Sequence, residues 1–255
     1  MPDQSQNDQN ATRNRLSFHR LMSLKYFDSN LYLTIFAHCF LPNFLCTIVS
    51  GSTTRKSPVL VFIHGESYEW NSGNPYDASV LASYGGVVVV TVNYRLGILG
   101  FLNANSDPNM LSPSNYGLMD IIAALHWLQE NAAAFGGDPG SVTLMGHGTG
   151  AACVQLLLMS PAVPEGLLFR RAVLMSGSAL SPGSLVGDPL GYAHAVARHV
   201  NCSTELPGPY LLACLRERPL HALLTVPLDP PDFTWAFGPS VDGVVPCVQS
   251  KHSSL

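Results

Sequence analysis

Charge is the scarcest commodity in this sequence. Only 12% of the 255 residues are Asp, Glu, Lys or Arg against 47% hydrophobic, roughly half of the usual charged share of about a quarter. So little polar material suits a large core rather than the coat of a small sphere. The net charge of −4 comes without any run of basic residues, which removes the electrostatic footprint a nucleic-acid or phosphate-binding surface needs. The cysteines, six in all, form no C-x-x-C pair and no pairing with histidine at zinc-ligand spacing, so no structural metal and no cofactor are expected. No internal repeat is present, and no apolar stretch follows the start methionine closely enough for a standard signal peptide.

Residues 1–27 are rich in Asn, Gln, Ser and Arg and read as a disordered leader. Residues 31–50 then run without a charge (LYLTIFAHCFLPNFLCTIVS), long enough to span a bilayer. His38, Pro42 and Asn43 fall in its middle, where polar groups are expensive. The competing expectation is a buried strand over Leu31–Phe36 followed by irregular apolar chain.

From Pro58 the pattern sharpens. Val59–Ile63 and Val87–Val92 are short continuous apolar runs, the signature of strands buried on both faces of a parallel sheet. Tyr116–Ala134 keeps apolar residues at helical spacing and stops at Phe135-Gly-Gly-Asp-Pro. Val142–Met145 and Ala172–Met175 supply two more strands, with a helix over Ala151–Met159 between them. Strands alternating with helices call for an α/β fold, a mostly parallel sheet with helices on both faces. Beyond Ser181 the expectation is three helices, at 192–200, 209–217 and 220–224, and then Ala236–Gly243 (AFGPSVDG) as a strand with a turn.

Between the strand at Val142–Met145 and its following helix stands Gly146-His147-Gly148-Thr149-Gly150. Strand, G-x-nucleophile-x-G, helix is a mechanical device: the turn projects its central side chain from the top of the sheet above a helix N-terminus. Here the frame is complete and the central residue is Gly148, which has nothing to attack with. Loss of a triad nucleophile costs about 10⁶ in turnover in a well-studied serine protease. His147 and Thr149 flank the position, but a one-residue shift on a tight turn aims a side chain elsewhere, so they are read as packing and helix-capping residues. After Val59–Ile63 comes His64-Gly65-Glu66-Ser67. An oxyanion hole draws on glycine amides in such a loop; Gly65 is in place, while Glu66 stands where a second glycine belongs.

Cys202 and Cys214 flank a turn-rich stretch, Ser203–Pro209, a separation suited to a small disulfide loop in an oxidising compartment. Asn201-Cys202-Ser203 is an N-glycosylation sequon pointing the same way, and Asn10-Ala11-Thr12 is a second in the polar leader.

The stretches PVLVFIHG, VVVVTVNYRLGILGFL, NYGLMDIIAALHWLQENAAAFGGDPGSVTLMGHGTGAA, MSGSAL and AFGPSVDG cover most of 58–243. They resemble the carboxylesterase type B and cholinesterase-like family, and within it the neuroligin branch with arthropod-like wording (GHGTGAAC, SPAVPEGLLF). The resemblance implies an α/β-hydrolase fold, here residues 28–248 with the C-terminal half of the domain absent and 249–255 as a tail. It implies a non-catalytic adhesion domain on the postsynaptic cell surface, binding a neurexin-like partner and dimerising in the full-length protein. It also implies that Cys202 and Cys214 pair. Calcium at such a complex is a family property for which no local ligand cluster appears. The sequence departs from the family at Asn30, which replaces a disulfide cysteine, and over 37–57, where nothing matches; the acidic and histidine members of a triad would lie beyond Leu255. The alternative is an ester hydrolase with an unorthodox or missing nucleophile.

Overall fold

The computed structural model describes residues 43–45, 56–106 and 112–245. All of them belong to one of the two units into which the chain divides, Phe40–Leu255. The leader, the strand expected at 31–36, most of the apolar stretch at 31–50 and the tail lie outside the described residues. Within that stretch Asn43–Leu45 forms a strand, β1, where irregular chain was expected. Among the described residues no helix is long and apolar enough to cross a membrane.

β1 is followed by β2 (Ser57–Ile63), β3 (Val88–Val92), β4 (Gly137–His147) and β5 (Arg171–Met175). They form one five-stranded sheet in the order β1-β3-β2-β4-β5. β1 pairs antiparallel with β3, and the remaining pairs are parallel. Every residue of β3 is buried, so its alternating side chains are covered on both faces, as the unbroken Val-rich run requires. β5 is different: its burial pattern is one half-buried residue among four exposed ones. Among the described residues it is the outer strand of the sheet on that side, and Val173, Leu174 and Met175 are each 40–42% exposed.

The helices are α1 (Ser79–Gly85), α2 (Gly97–Phe101), α3 (Tyr116–Asn131), α4 (Thr149–Leu158), α5 (Pro189–His199), α6 (Gly208–Arg216) and α7 (Leu220–Leu224). α3 turns one face inward through Leu118, Ile121, Leu125 and Leu128, each at most 2% exposed, and joins the sheet and α4 in the main core. It gives way to a 3₁₀ turn at Ala132–Phe135, and Gly136, at φ 75°, closes that turn with its N–H on the carbonyls of Ala132 and Ala133. α5 begins three residues earlier than the apolar spacing suggests because Asp188 caps it, its carboxylate accepting the Gly191 N–H at 2.9 Å, with Pro189 ready-set for the first turn. α5, α6 and α2 share a smaller core of Ile98, Ala193, Ala197, Leu211 and Leu215. The Cys202–Cys214 disulfide lies in that smaller core.

The strand expected at 236–243 is corrected. Ala236–Gly243 forms no strand. Pro239 has no N–H to give a ladder, and the Ser240 N–H is taken by the Asn115 side chain at 2.9 Å. The segment is held by side chains instead. The buried Asp242 carboxylate accepts the N–H groups of Ser114, Asn115, Val244 and Val245 at 2.9–3.3 Å, and the Asn115 amide donates to the Ser240 carbonyl at 2.8 Å. Two segments about 125 residues apart in sequence are thereby tied together at the start of α3.

Candidate functional site

From β2 the chain goes to β3 on one side of it, whereas β4 and β5 lie on the other. The order thus reverses at β2, and in open α/β sheets the crevice beyond the strand C-termini at such a reversal is where ligands bind. Two loops meet there: His64–Tyr68 after β2 and His147–Gly150 after β4.

The β4 loop is an elbow in geometry as well as in sequence. Gly148 has φ 56° and ψ −123°, a conformation costly for residues with a Cβ, and it is the N-cap of α4. Its carbonyl accepts the N–H groups of Ala151 and Ala152 at 3.0 and 3.3 Å, and its N–H donates to Met175 at the end of β5 at 2.9 Å. A Cβ built on Gly148 would meet nothing within 4 Å. The position that would carry a nucleophile is open, and the residue there has no side chain to fill it.

The neighbouring glycines are the opposite case. A Cβ on Gly65 would collide with the His147 carbonyl oxygen and approach the amides of Thr149 and Gly150 at 3.2 and 3.3 Å. One on Gly150 would strike the carbonyls of Ile63 and His64, and one on Gly177 the carbonyl of Gly148. The backbones after β2, β4 and β5 therefore touch with no side chain between them. Of the residues read from sequence, Gly65 and Gly148 are brought together here; Gly177 carries no motif that marks it beforehand.

Glu66, Ser67 and Tyr68 have φ of 88°, 62° and 60°, three successive non-glycine residues in the left-handed region, an arrangement that persists only where its surroundings impose it. Tyr68 supplies the anchor. It is fully buried, edge-on to Phe101 with centroids 5.6 Å apart, its hydroxyl donates to the Ser184 carbonyl at 3.3 Å, and its own carbonyl accepts from Gly97. Glu66 is half-buried.

His64 is 1% exposed and stacks on Tyr94 at 4.6 Å. Its Nδ1 lies 3.2 Å from the Gly65 carbonyl, and Nε2 has no partner. The carbonyl can only accept, so Nδ1 carries the proton and the bare Nε2 is the orphan. Burial lowers the pKa of this imidazole, with the Gly65 contact opposing.

The expectation that Thr149 caps the helix is corrected: α4 has no side-chain cap, and the buried Thr149 hydroxyl has no hydrogen-bond partner. Other groups near the elbow are poorly suited to attack. Cys153 is fully buried on α4, and desolvation pushes its thiol up to about 12, far from the thiolate a nucleophile needs. The Ser178 hydroxyl is bound to Gln155 at 2.9 Å. Among the described residues no group of three or more His, Cys, Asp or Glu is placed to hold a metal.

The remaining residues singled out in sequence lie in the smaller helical layer. Cys202 and Cys214 form a disulfide with Cα atoms 6.1 Å apart, and Asn201 is exposed at the end of α5 with φ 58°.

A parallel sheet whose order reverses at the strand that feeds one loop of the crevice, with a nucleophile-type elbow in the other, is the frame of an α/β hydrolase. The comparison with known families agrees: the carboxylesterase family model matches residues 3–253, and the chain belongs to that family. Within it the chain is neuroligin-like. It is 47% identical over 192 residues to human neuroligin-2, covering 75% of this chain and 22% of that protein. Against mouse neuroligin-3 it is 46% identical over 188 residues, 74% of this chain and 22% of the relative, and against neuroligin-1 of Caenorhabditis elegans 39% over 198 residues, 73% and 24%. The chain thus spans about a fifth to a quarter of the length of these relatives, and what it contains is part of an α/β-hydrolase domain.

Proposed function

We propose that this chain is part of a non-catalytic, neuroligin-type adhesion domain that binds a neurexin-like cell-surface partner at synapses. As part of a longer protein it acts at the extracellular face of the postsynaptic plasma membrane, where that protein forms a homodimer. The domain is the segment 28–248. One observation carries the loss of catalysis: residue 148 occupies the nucleophile position of an elbow in open space, and it is glycine. A hydrolase that had merely relocated its nucleophile would need a free hydroxyl or thiolate beside the turn. The Thr149 hydroxyl oxygen is shielded from solvent at the first helical position, Cys153 is held as a neutral thiol, and Ser178 is hydrogen-bonded elsewhere. Similarity to neuroligins at 45–47% identity supports the adhesion reading.

The test is turnover of p-nitrophenyl acetate together with labelling by a serine-directed fluorophosphonate. The chain shows neither above a heat-denatured control, and Gly148→Ser does not restore turnover, because one side chain does not supply a base. Turnover by the native chain that the phosphonate abolishes overturns the non-catalytic reading. Failure of a neurexin-like ectodomain on a sensor surface to retain the full-length protein overturns the adhesion reading independently.

A further inference from the structure

The sequon Asn201-Cys202-Ser203 has a disulfide cysteine at its centre, and the fold treats its three residues very differently. Asn201 is exposed, sits just beyond α5 and is held in the left-handed region at φ 58°. Cys202 is 5% exposed, packs with Ala193, Ala197, Leu211 and Leu215, and gives its N–H to the Ala197 carbonyl at 2.8 Å. The Ser203 hydroxyl oxygen accepts the Glu205 N–H at 3.3 Å. A glycosyl transferase must draw the acceptor amide and the hydroxyl two residues on into one catalytic cleft, which takes a loose, extendable chain. With Cys202 buried and bonded to Cys214, this sequon is not loose.

We propose that Asn201 is an N-glycan acceptor whose occupancy is decided by a race between glycan transfer and closure of the Cys202–Cys214 disulfide. In transfer, the Asn201 amide nitrogen bonds to C1 of the sugar of a lipid-pyrophosphate-linked oligosaccharide. The C1–O bond to the pyrophosphate breaks, the lipid pyrophosphate leaves, and the amide gives up one proton. In closure, the two thiols lose two protons and two electrons to the disulfide of an oxidoreductase, which becomes a dithiol. The order matters in one direction only. A glycan added first sits on an exposed residue and leaves the core cysteine free to pair, whereas a disulfide formed first buries the centre of the sequon and leaves Asn201 bare. The closed loop is short, which favours rapid pairing once both cysteines have emerged from the ribosome. The site is therefore partly occupied.

The second sequon, at Asn10, is an internal control, since no cysteine flanks it. The full chain is directed into the endoplasmic reticulum of cultured animal cells by a cleavable signal sequence. Occupancy at both asparagines is read by peptide mass spectrometry after deglycosylation in heavy-oxygen water. The expected result is partial occupancy at Asn201 that shifts to near completion in Cys214→Ser, and equally in the unaltered chain during a dithiothreitol pulse, with occupancy at Asn10 unchanged. Because the readout is on nascent chain, a variant that fails to fold still reports. The proposal is overturned if Asn201 is bare under all three conditions, if its occupancy is the same with the disulfide open or closed, or if Asn10 and Asn201 rise together.

Discussion

Alanine substituted separately at Gly65 and Gly148 distinguishes two reasons for a glycine at the elbow. At Gly148 there is room for a methyl group, since nothing lies within 4 Å, and the difficulty is conformational: φ 56° with ψ −123°. Holding an alanine there costs about 1–3 kcal/mol, offset by about 0.4–1 kcal/mol from the stiffer unfolded chain, leaving about 1–2 kcal/mol of destabilisation. Gly65 has no positive φ, and its difficulty is space. Its new Cβ would overlap the His147 carbonyl oxygen and crowd two amides at 3.2 and 3.3 Å, all of them backbone atoms that cannot rotate away. Relief requires β2 and β4 to part next to the Ile63–Gly146 pair, and we expect a loss of about 3–5 kcal/mol, at the severe end of overpacking effects. With about 2–4 °C per kcal/mol for a domain of this size, Gly148→Ala lowers the melting temperature by about 2–8 °C and Gly65→Ala by about 6–20 °C. Differential scanning fluorimetry on the full chain, with urea titration to confirm cooperativity, reads both. The close-contact argument is refuted if Gly65→Ala is no more destabilising than Gly148→Ala.

Cys214→Ser opens the short disulfide loop and costs about 3 kcal/mol in a urea titration under non-reducing conditions; dithiothreitol has no further effect on the variant. Asp242→Ala leaves the N–H groups of Ser114, Asn115, Val244 and Val245 without their acceptor and lowers stability by about 3 kcal/mol or more, with Asp242→Asn falling between the two; amide exchange at 114–115 and 244–245 speeds up together if the tie is as described. For His64 the folded pKa lies below the ordinary value near 6.5, so its contribution is complete above that value and is lost as pH falls toward the folded pKa, because protonation would bury an Nε2–H with no acceptor. The melting temperature therefore declines as pH falls below about 6.5, and His64→Phe flattens part of that decline; an unchanged slope in the variant refutes the assignment.

Much of the fold is legible in the residues because burial on both faces leaves an unmistakable apolar run. β2 and β3 differ from their sequence reading only at the N-terminal end, and α7 coincides with 220–224. α1 and α2 escape because they are short and carry little apolar spacing: only Ala82 of α1 is buried, and α2 is the glycine-containing GILGF. β4 extends well before its apolar kernel, back to Gly137. The start of that strand pairs Gly137 with Ser57 across a register shift, a tertiary contact that no local pattern encodes. The strand expected at 236–243 fails for the reason that makes the segment useful: the polar groups of Ser240 and Asp242 are spent on Ser114 and Asn115. At the site, Gly148 is readable from the frame around it. The backbone contact of Gly65, Gly150 and Gly177 is not, because distance between three strand ends is not a property of any one of them.

β5 couples the edge of the sheet to its centre. Its last carbonyl, that of Met175, accepts the N–H of Gly148, and Gly177 just after it lies against the carbonyl of the same residue. Anything that leans on Val173–Met175 from outside, whether another strand or a neighbouring molecule, thus reaches the elbow through the β4–β5 pairing and the Met175–Gly148 hydrogen bond. The elbow is thereby tied to the outermost described strand of the sheet.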